Sequence, residues 1–166
     1  MTTTWLDIAR KYLGTTEAPG PRNNPTIMTW AKRLGSKILG IVYNADSTPW
    51  CALFLAHVMA EAGFKPPLIA VRASSWDAWG VRVTKPFLGA IARFQRPGGG
   101  HVALIVGVDA TGTLYRVLGG NQSDAVSETW IEAARCVAIR WPSGAPAPTI
   151  LAPVVKRVGS VSKDEA

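Results

Sequence analysis

The sequence predicts an α+β fold in which N-terminal helices pack on a C-terminal antiparallel sheet. Three observations lead there. The first half of the 166-residue chain repeats its apolar residues at helical spacing between cap and stop signals, and after about residue 90 it changes to short apolar runs separated by turn sequences. Helices first and hairpin-linked strands later are the pattern of α+β rather than alternating α/β domains. The chain is 48% hydrophobic and 17% charged, enough apolar matter for one packed core and too much for a disordered chain.

Each element follows from local signals. Thr3 or Thr4 caps a first helix carrying Trp5, Ile8, Ala9, Tyr12 and Leu13, and Gly14 stops it. Asn24-Pro25 opens a second helix through Ile27, Met28, Trp30 and Ala31, with Gly35 expected to end it. A third helix is expected over 49–62, capped by Thr48, with Pro49 in its first position and Gly63 as its stop. It is apolar almost all round, which predicts a central, buried helix. Pro66-Pro67 breaks the chain, and one helical turn is expected within 74–80. Strands are expected over 90–94, 101–108, 114–118, 125–131 and 136–141, the second being the strongest because glycines 98–100 and the turn 109–112 bound it. Residues 1–142 make one domain, and 143–166, rich in Pro, Ala and Ser, are expected to form a flexible tail.

Lys and Arg number 18 and Asp and Glu 11, a net charge of +7 that favours an anionic partner. No dense basic run or nucleic-acid motif accompanies it, so nucleic acid is not the expected partner. No segment is long and apolar enough to insert stably in a membrane, and the N-terminus lacks the pattern of a secretory signal. The expectation is a monomer made in the cytoplasm. Two cysteines make no disulfide framework. Cys51, His57, His101 and Cys136 lack zinc-ligand spacing, so no metal and no cofactor are expected.

Cys51 begins an apolar helical run, among unpaired backbone N–H groups and the positive end of the helix dipole, where a thiol is biased toward thiolate. A cysteine nucleophile needs a base, usually histidine. His57 lies six residues along the same helix, roughly 9 Å away along the axis and about 120° around it, so it cannot serve. His101 opens the strongest strand, on a face that continues with Ala103, Ile105 and Gly107 and leaves room for a helix. A hairpin centred near Thr111 sets position 101 opposite position 121, so Asn121 is the candidate to bond the ring and fix its tautomer. Cys, His and Asn in that order form a papain-type arrangement. The Cys51 N–H would contribute to an oxyanion hole, with Tyr43 or Asn44 as the upstream donor. Asp46 cannot donate when ionised and is read as a loop brace or helix cap. Trp50, Trp76 and Gln122 are candidates to line a substrate cleft.

The runs Thr48-Pro49-Trp50-Cys51-Ala52-Leu53-Phe54 and Gly100-His101-Val102-Ala103-Leu104-Ile105-Val106-Gly107 resemble the cysteine and histidine motifs of CHAP-type domains in the NlpC/P60 group of cell-wall hydrolases. Leu118-Gly119-Gly120-Asn121-Gln122-Ser123 resembles the third motif of a bacterial and phage subgroup. The resemblance runs from Trp5 to about Pro142. It implies a papain-like fold and amide cleavage in bacterial peptidoglycan, with Cys51 as nucleophile, His101 as base and Asn121 as orienting group. It also implies action on the cell wall, as a phage endolysin or as an injected antibacterial toxin. Many CHAP domains carry Glu two residues before that Asn, where this chain has Gly119.

Overall fold

The computed structural model describes residues 4–165. Three helices, α1 (Thr4–Lys11), α2 (Pro25–Leu39) and α3 (Cys51–Glu61), precede six strands: β1 (Val81–Arg82), β2 (Ile91–Arg96), β3 (Gly99–Val108), β4 (Leu114–Gly119), β5 (Ser127–Glu132) and β6 (Cys136–Trp141). The strands form one antiparallel sheet in the order β1-β6-β2-β3-β4-β5. This is the α+β arrangement of the papain-like fold. Thr3, one of the two expected caps of the first helix, lies outside the described residues.

Helix α3 is the hub. All nine residues from Cys51 to Met59 are buried, and the helix packs against α1, α2, β3 and β4. Burying a side chain such as Leu53, Phe54 or Leu55 completely is worth about 1.5–3 kcal/mol each, so this helix anchors the core. Gly120 sets how closely the chain after β4 approaches it, and Gly119 how closely the end of β4 lies beside β3. A Cβ added at Gly120 would lie 2.8 Å from Phe54 Cβ and 2.9 Å from the Trp50 ring, and one added at Gly119 would lie 2.9 Å from Ala103 Cβ. The chain after β4 therefore lies directly on the start of α3.

Several boundaries depart from the expected ones. Gly35 interrupts α2 as expected, and a second helical segment follows it to Leu39. The Gly35 backbone is non-helical (φ 78°, ψ 157°), and Gly40, left-handed, caps the second segment with an N–H donated to Ser36 O. Helix α3 begins two residues late, because residues 46–48 form a turn and the first ladder bond runs from Phe54 N to Trp50 O at 2.9 Å. Thr48 is not its cap, since Trp50 holds that position with no side-chain bond. Gly107 makes no room for a helix. The β3–β4 register shifts between Ile105 and Gly107, and a Cβ at Gly107 would meet Val155 Cγ2 at 2.8 Å.

The segment after Pro142 is the largest departure. The expected flexible tail is docked along the sheet by backbone bonds: Ala152 N to Pro86 O at 2.8 Å, Val155 N to Val108 O at 2.8 Å and Ser162 N to Trp130 O at 2.8 Å. Trp130 Nε1 donates to Val158 O at 3.1 Å, and the buried Glu165 is paired with Arg135. Valines at 154, 155, 158 and 161 gave the segment strand character that its Pro and Ser content masked. Hydrogen exchange tests this docking. The amides of Ala152, Val155 and Ser162 are expected to exchange at least about 100-fold slower than in a free chain, and free-chain rates would contradict it.

Candidate active site

Cys51 is the first residue of α3, so its own N–H belongs to the first-turn amides with no partner inside the helix. The side chain is buried but lines a cleft of about 390 Å³ that opens to solvent. His101 is fully buried on β3, stacked on Phe94 of β2 at 6.5 Å between ring centres. The thiol and the ring are near enough to shift each other's acidity. Burial pushes the thiol upward, but His101 and the backbone N–H groups of Val102 and Ala52 outweigh it and hold Cys51 below the ordinary thiol range. Burial likewise disfavours the imidazolium, and Cys51, Gln122 and the more distant Glu165 carboxylate outweigh it, so His101 sits above its ordinary value.

The side chain bonded to the His101 ring is Gln122 rather than the expected Asn121. His101 Nε2 lies 2.9 Å from Gln122 Oε1. The Gln122 amide nitrogen donates to Ser127 O at 2.7 Å and more weakly to Val117 O at 3.4 Å, which leaves only the oxygen to face the ring. An oxygen can only accept, so Nε2 must carry the proton and Nδ1 keeps its lone pair. Nδ1 is buried with no hydrogen-bond partner, which makes it the nitrogen available to the thiol proton.

The expected register holds on the His101 side of the bulge, and is off by one between the bulge and the turn. Leu104 pairs with Leu118, and the same alternation extrapolates 101 to 121. Strand β4 stops at Gly119, however, and Asn121, Ser123 and Asp124 all adopt left-handed backbone (φ 57°, 54° and 57°). Asn121 is buried, and its Oδ1 has no hydrogen-bond partner. Gln122 folds back to the ring instead. A Cβ at Gly119 would lie 2.7 Å from Gln122 Oε1, so the small residue found where many CHAP domains carry Glu is what admits the glutamine amide.

The remaining candidates are placed as follows. Tyr43 donates its hydroxyl to Thr48 O at 2.8 Å, so it props the turn before Cys51 rather than facing a reacting oxygen. Asn44 is exposed. Asp46 Oδ2 accepts from Ala18 N at 2.9 Å and Asn24 N at 2.6 Å, tying the 15–24 loop to the turn before α3. Trp50 and Trp76 are fully buried and do not line the cleft: Trp50 Nε1 donates to Glu17 Oε1 at 2.7 Å and Trp76 Nε1 to Ala70 O at 3.2 Å. His57 is stacked on Trp30 and lies 3.0 Å from both Tyr12 Oη and Glu61 Oε2. The charged side chains that do line the cleft, Arg72, Arg93 and Arg96, were not anticipated. Among the described residues no group of three or more His, Cys, Asp or Glu side chains has a metal-holding arrangement, and no helix is long and apolar enough to cross a membrane.

The family model of the CHAP domain matches residues 43–121, a span that contains Cys51 and His101. The chain carries a CHAP domain. CHAP domains are cysteine/amidase hydrolase domains of the NlpC/P60-like class, which implies a peptidoglycan substrate and an amidase or peptidase activity. The match ends one residue before Gln122. No curated protein and no solved structure matches the chain.

Alkylation by iodoacetamide tests the geometry of this CHAP site. Cys136 is pushed up to about 11 by burial, so at neutral pH the reagent reads Cys51. Cys51 is expected to stay reactive below the pH at which an ordinary thiol fades, and to lose reactivity only as acid reprotonates it. Gln122→Ala is expected to slow the neutral-pH reaction by about tenfold, the equivalent of one unit of thiol acidity. Asn121→Gly, which suits the left-handed backbone, is expected to leave it within about threefold. The reverse ranking would return the orienting role to Asn121.

Proposed function

We propose that the chain is a peptidoglycan hydrolase that cleaves an amide bond of the wall peptide, as an endopeptidase or N-acetylmuramoyl-L-alanine amidase, by cysteine nucleophilic catalysis. The observation that carries the reading is the buried Cys51–His101–Gln122 series ending at the wall of an open cleft.

Cys51 Sγ attacks the amide carbonyl as its proton passes to His101 Nδ1. The tetrahedral oxyanion meets the N–H of Cys51 at the start of α3. Collapse breaks the C–N bond, and Nδ1 returns the proton to the leaving amine, so a thioester and a free amine result. Water then attacks the thioester, giving its proton to Nδ1. The sulfur leaves and recovers that proton, and the product is a carboxylic acid. Gln122 stabilises the imidazolium of both half-reactions through Nε2–H. The net charge of +7 supports attraction to an anionic wall. In the same proposal the protein is a phage-type endolysin that reaches the wall by lysis or particle delivery.

Two measurements test the reading together. The protein is expected to clear a suspension of permeabilised bacteria, and mass analysis of digested walls is expected to show new amine and carboxyl ends at one amide bond. Cys51→Ala is expected to reduce both by about 10⁴-fold or more. Intact wall fragments after prolonged digestion would leave a wall-binding or particle-structural domain in its place, and equal clearing by Cys51→Ala would exclude thiol chemistry.

A further inference from the structure

The cleft beside Cys51 has a charge pattern that the hydrolytic chemistry does not require. Its charged lining residues are Arg72, Arg93 and Arg96, and among the described residues no Asp or Glu lines it. Two of the three are held rigidly. Arg93 Nε lies 2.9 Å from Asp77 Oδ1, and Arg96 donates through Nε to Gly100 O at 3.2 Å and through Nη1 to Pro97 O at 3.1 Å, with Asp164 at 3.7 Å. The glycines before His101 make room for them. A Cβ at Gly100 would lie 3.2 Å from Arg93 Cζ, and one at Gly99 would lie 3.4 Å from Arg96 Nη2. Arg93 and Arg96 are only 12% and 14% exposed, and their carboxylate partners fix their guanidinium groups while offsetting part of their charge. Arg72 is exposed at the mouth and has no ion-pair partner among the described residues.

We infer that this cleft selects a wall peptide bearing a free carboxylate close to the scissile amide, with Arg72 supplying the open guanidinium fork and Arg93 and Arg96, held by Asp77 and Asp164, supplying fixed N–H donors beside it. A guanidinium binds a carboxylate through two parallel N–H donors, a geometry that a primary amide, neutral and with one oxygen, does not reproduce. The inference rests on the proposed hydrolysis of wall peptide and narrows its substrate to the non-amidated form.

The test uses one batch of purified walls divided in two, one half left native and the other with its carboxylates converted to primary amides by carbodiimide and ammonium ions. Initial rates of amino-group release are compared for the wild type, Arg72→Gln, Arg72→Lys and the control Lys32→Gln, an exposed charge on α2 away from the cleft. The wild type is expected to digest native walls at least tenfold faster than amidated walls. Arg72→Gln is expected to narrow that ratio at least threefold, Arg72→Lys to narrow it less, and Lys32→Gln to leave it unchanged. Equal wild-type rates on the two walls would overturn the inference while leaving hydrolysis standing. So would equal narrowing by Lys32→Gln, which would assign the preference to bulk charge. Digestion of neither wall would instead overturn the proposed hydrolysis on which the inference rests.

Discussion

The hydrogen bond between His101 Nε2 and Gln122 Oε1 is the constraint on which the site depends. A histidine beside a thiol can take its proton only if the nitrogen facing the sulfur is the unprotonated one of the neutral ring. Here the ring sits wholly inside the protein, so no water is free to set its tautomer. The glutamine sets it, because the amide nitrogen is committed to two backbone carbonyls and the oxygen alone faces the ring.

Much of the surrounding structure holds that amide in place. Gly119 removes the side chain that would displace it, and Gly120 lets its loop rest against Trp50 and Phe54 at the head of the Cys51 helix. The segment from 14 to 24 then joins the two halves. Glu17 N donates to Asp124 O at 2.9 Å and Val126 N to Thr15 O at 2.8 Å, which secures the glutamine loop. The Glu17 side chain takes the Trp50 indole, and Asp46 binds the same segment from the other side. Three left-handed residues around Gln122 cost roughly 1 kcal/mol or more each, and these bonds offset that strain.

The sequence was informative where local rules govern. Helix spacing and the cysteine at the head of an apolar run located the α3 start to within two residues, and the triple glycine placed His101 at the start of the longest strand. Alternation across a hairpin located the third member to within one residue. It failed at that residue because alternation lapses where the strand ends, and nothing in Gly-Gly-Asn-Gln-Ser-Asp reveals that three of its positions adopt positive φ. The buried roles of Trp50 and Trp76 and the docked tail were hidden for a different reason. Both depend on partners distant in the chain, such as Glu17 for Trp50 and Trp130 for the tail, and no local pattern announces such contacts. The arginines of the cleft were equally out of reach, since Arg72 meets Arg93 and Arg96 only through the tertiary fold.

Nitrogen NMR of the histidine rings addresses the central constraint most directly, and the chain has only two histidines to distinguish. In a Cys51→Ala background the thiol can no longer exchange a proton with the ring, so the neutral tautomer is read alone. The account predicts that His101 carries its proton on Nε2, with an unprotonated Nδ1, and that replacing Gln122 by alanine erodes this preference. A resting proton on Nδ1 with Gln122 intact would contradict it.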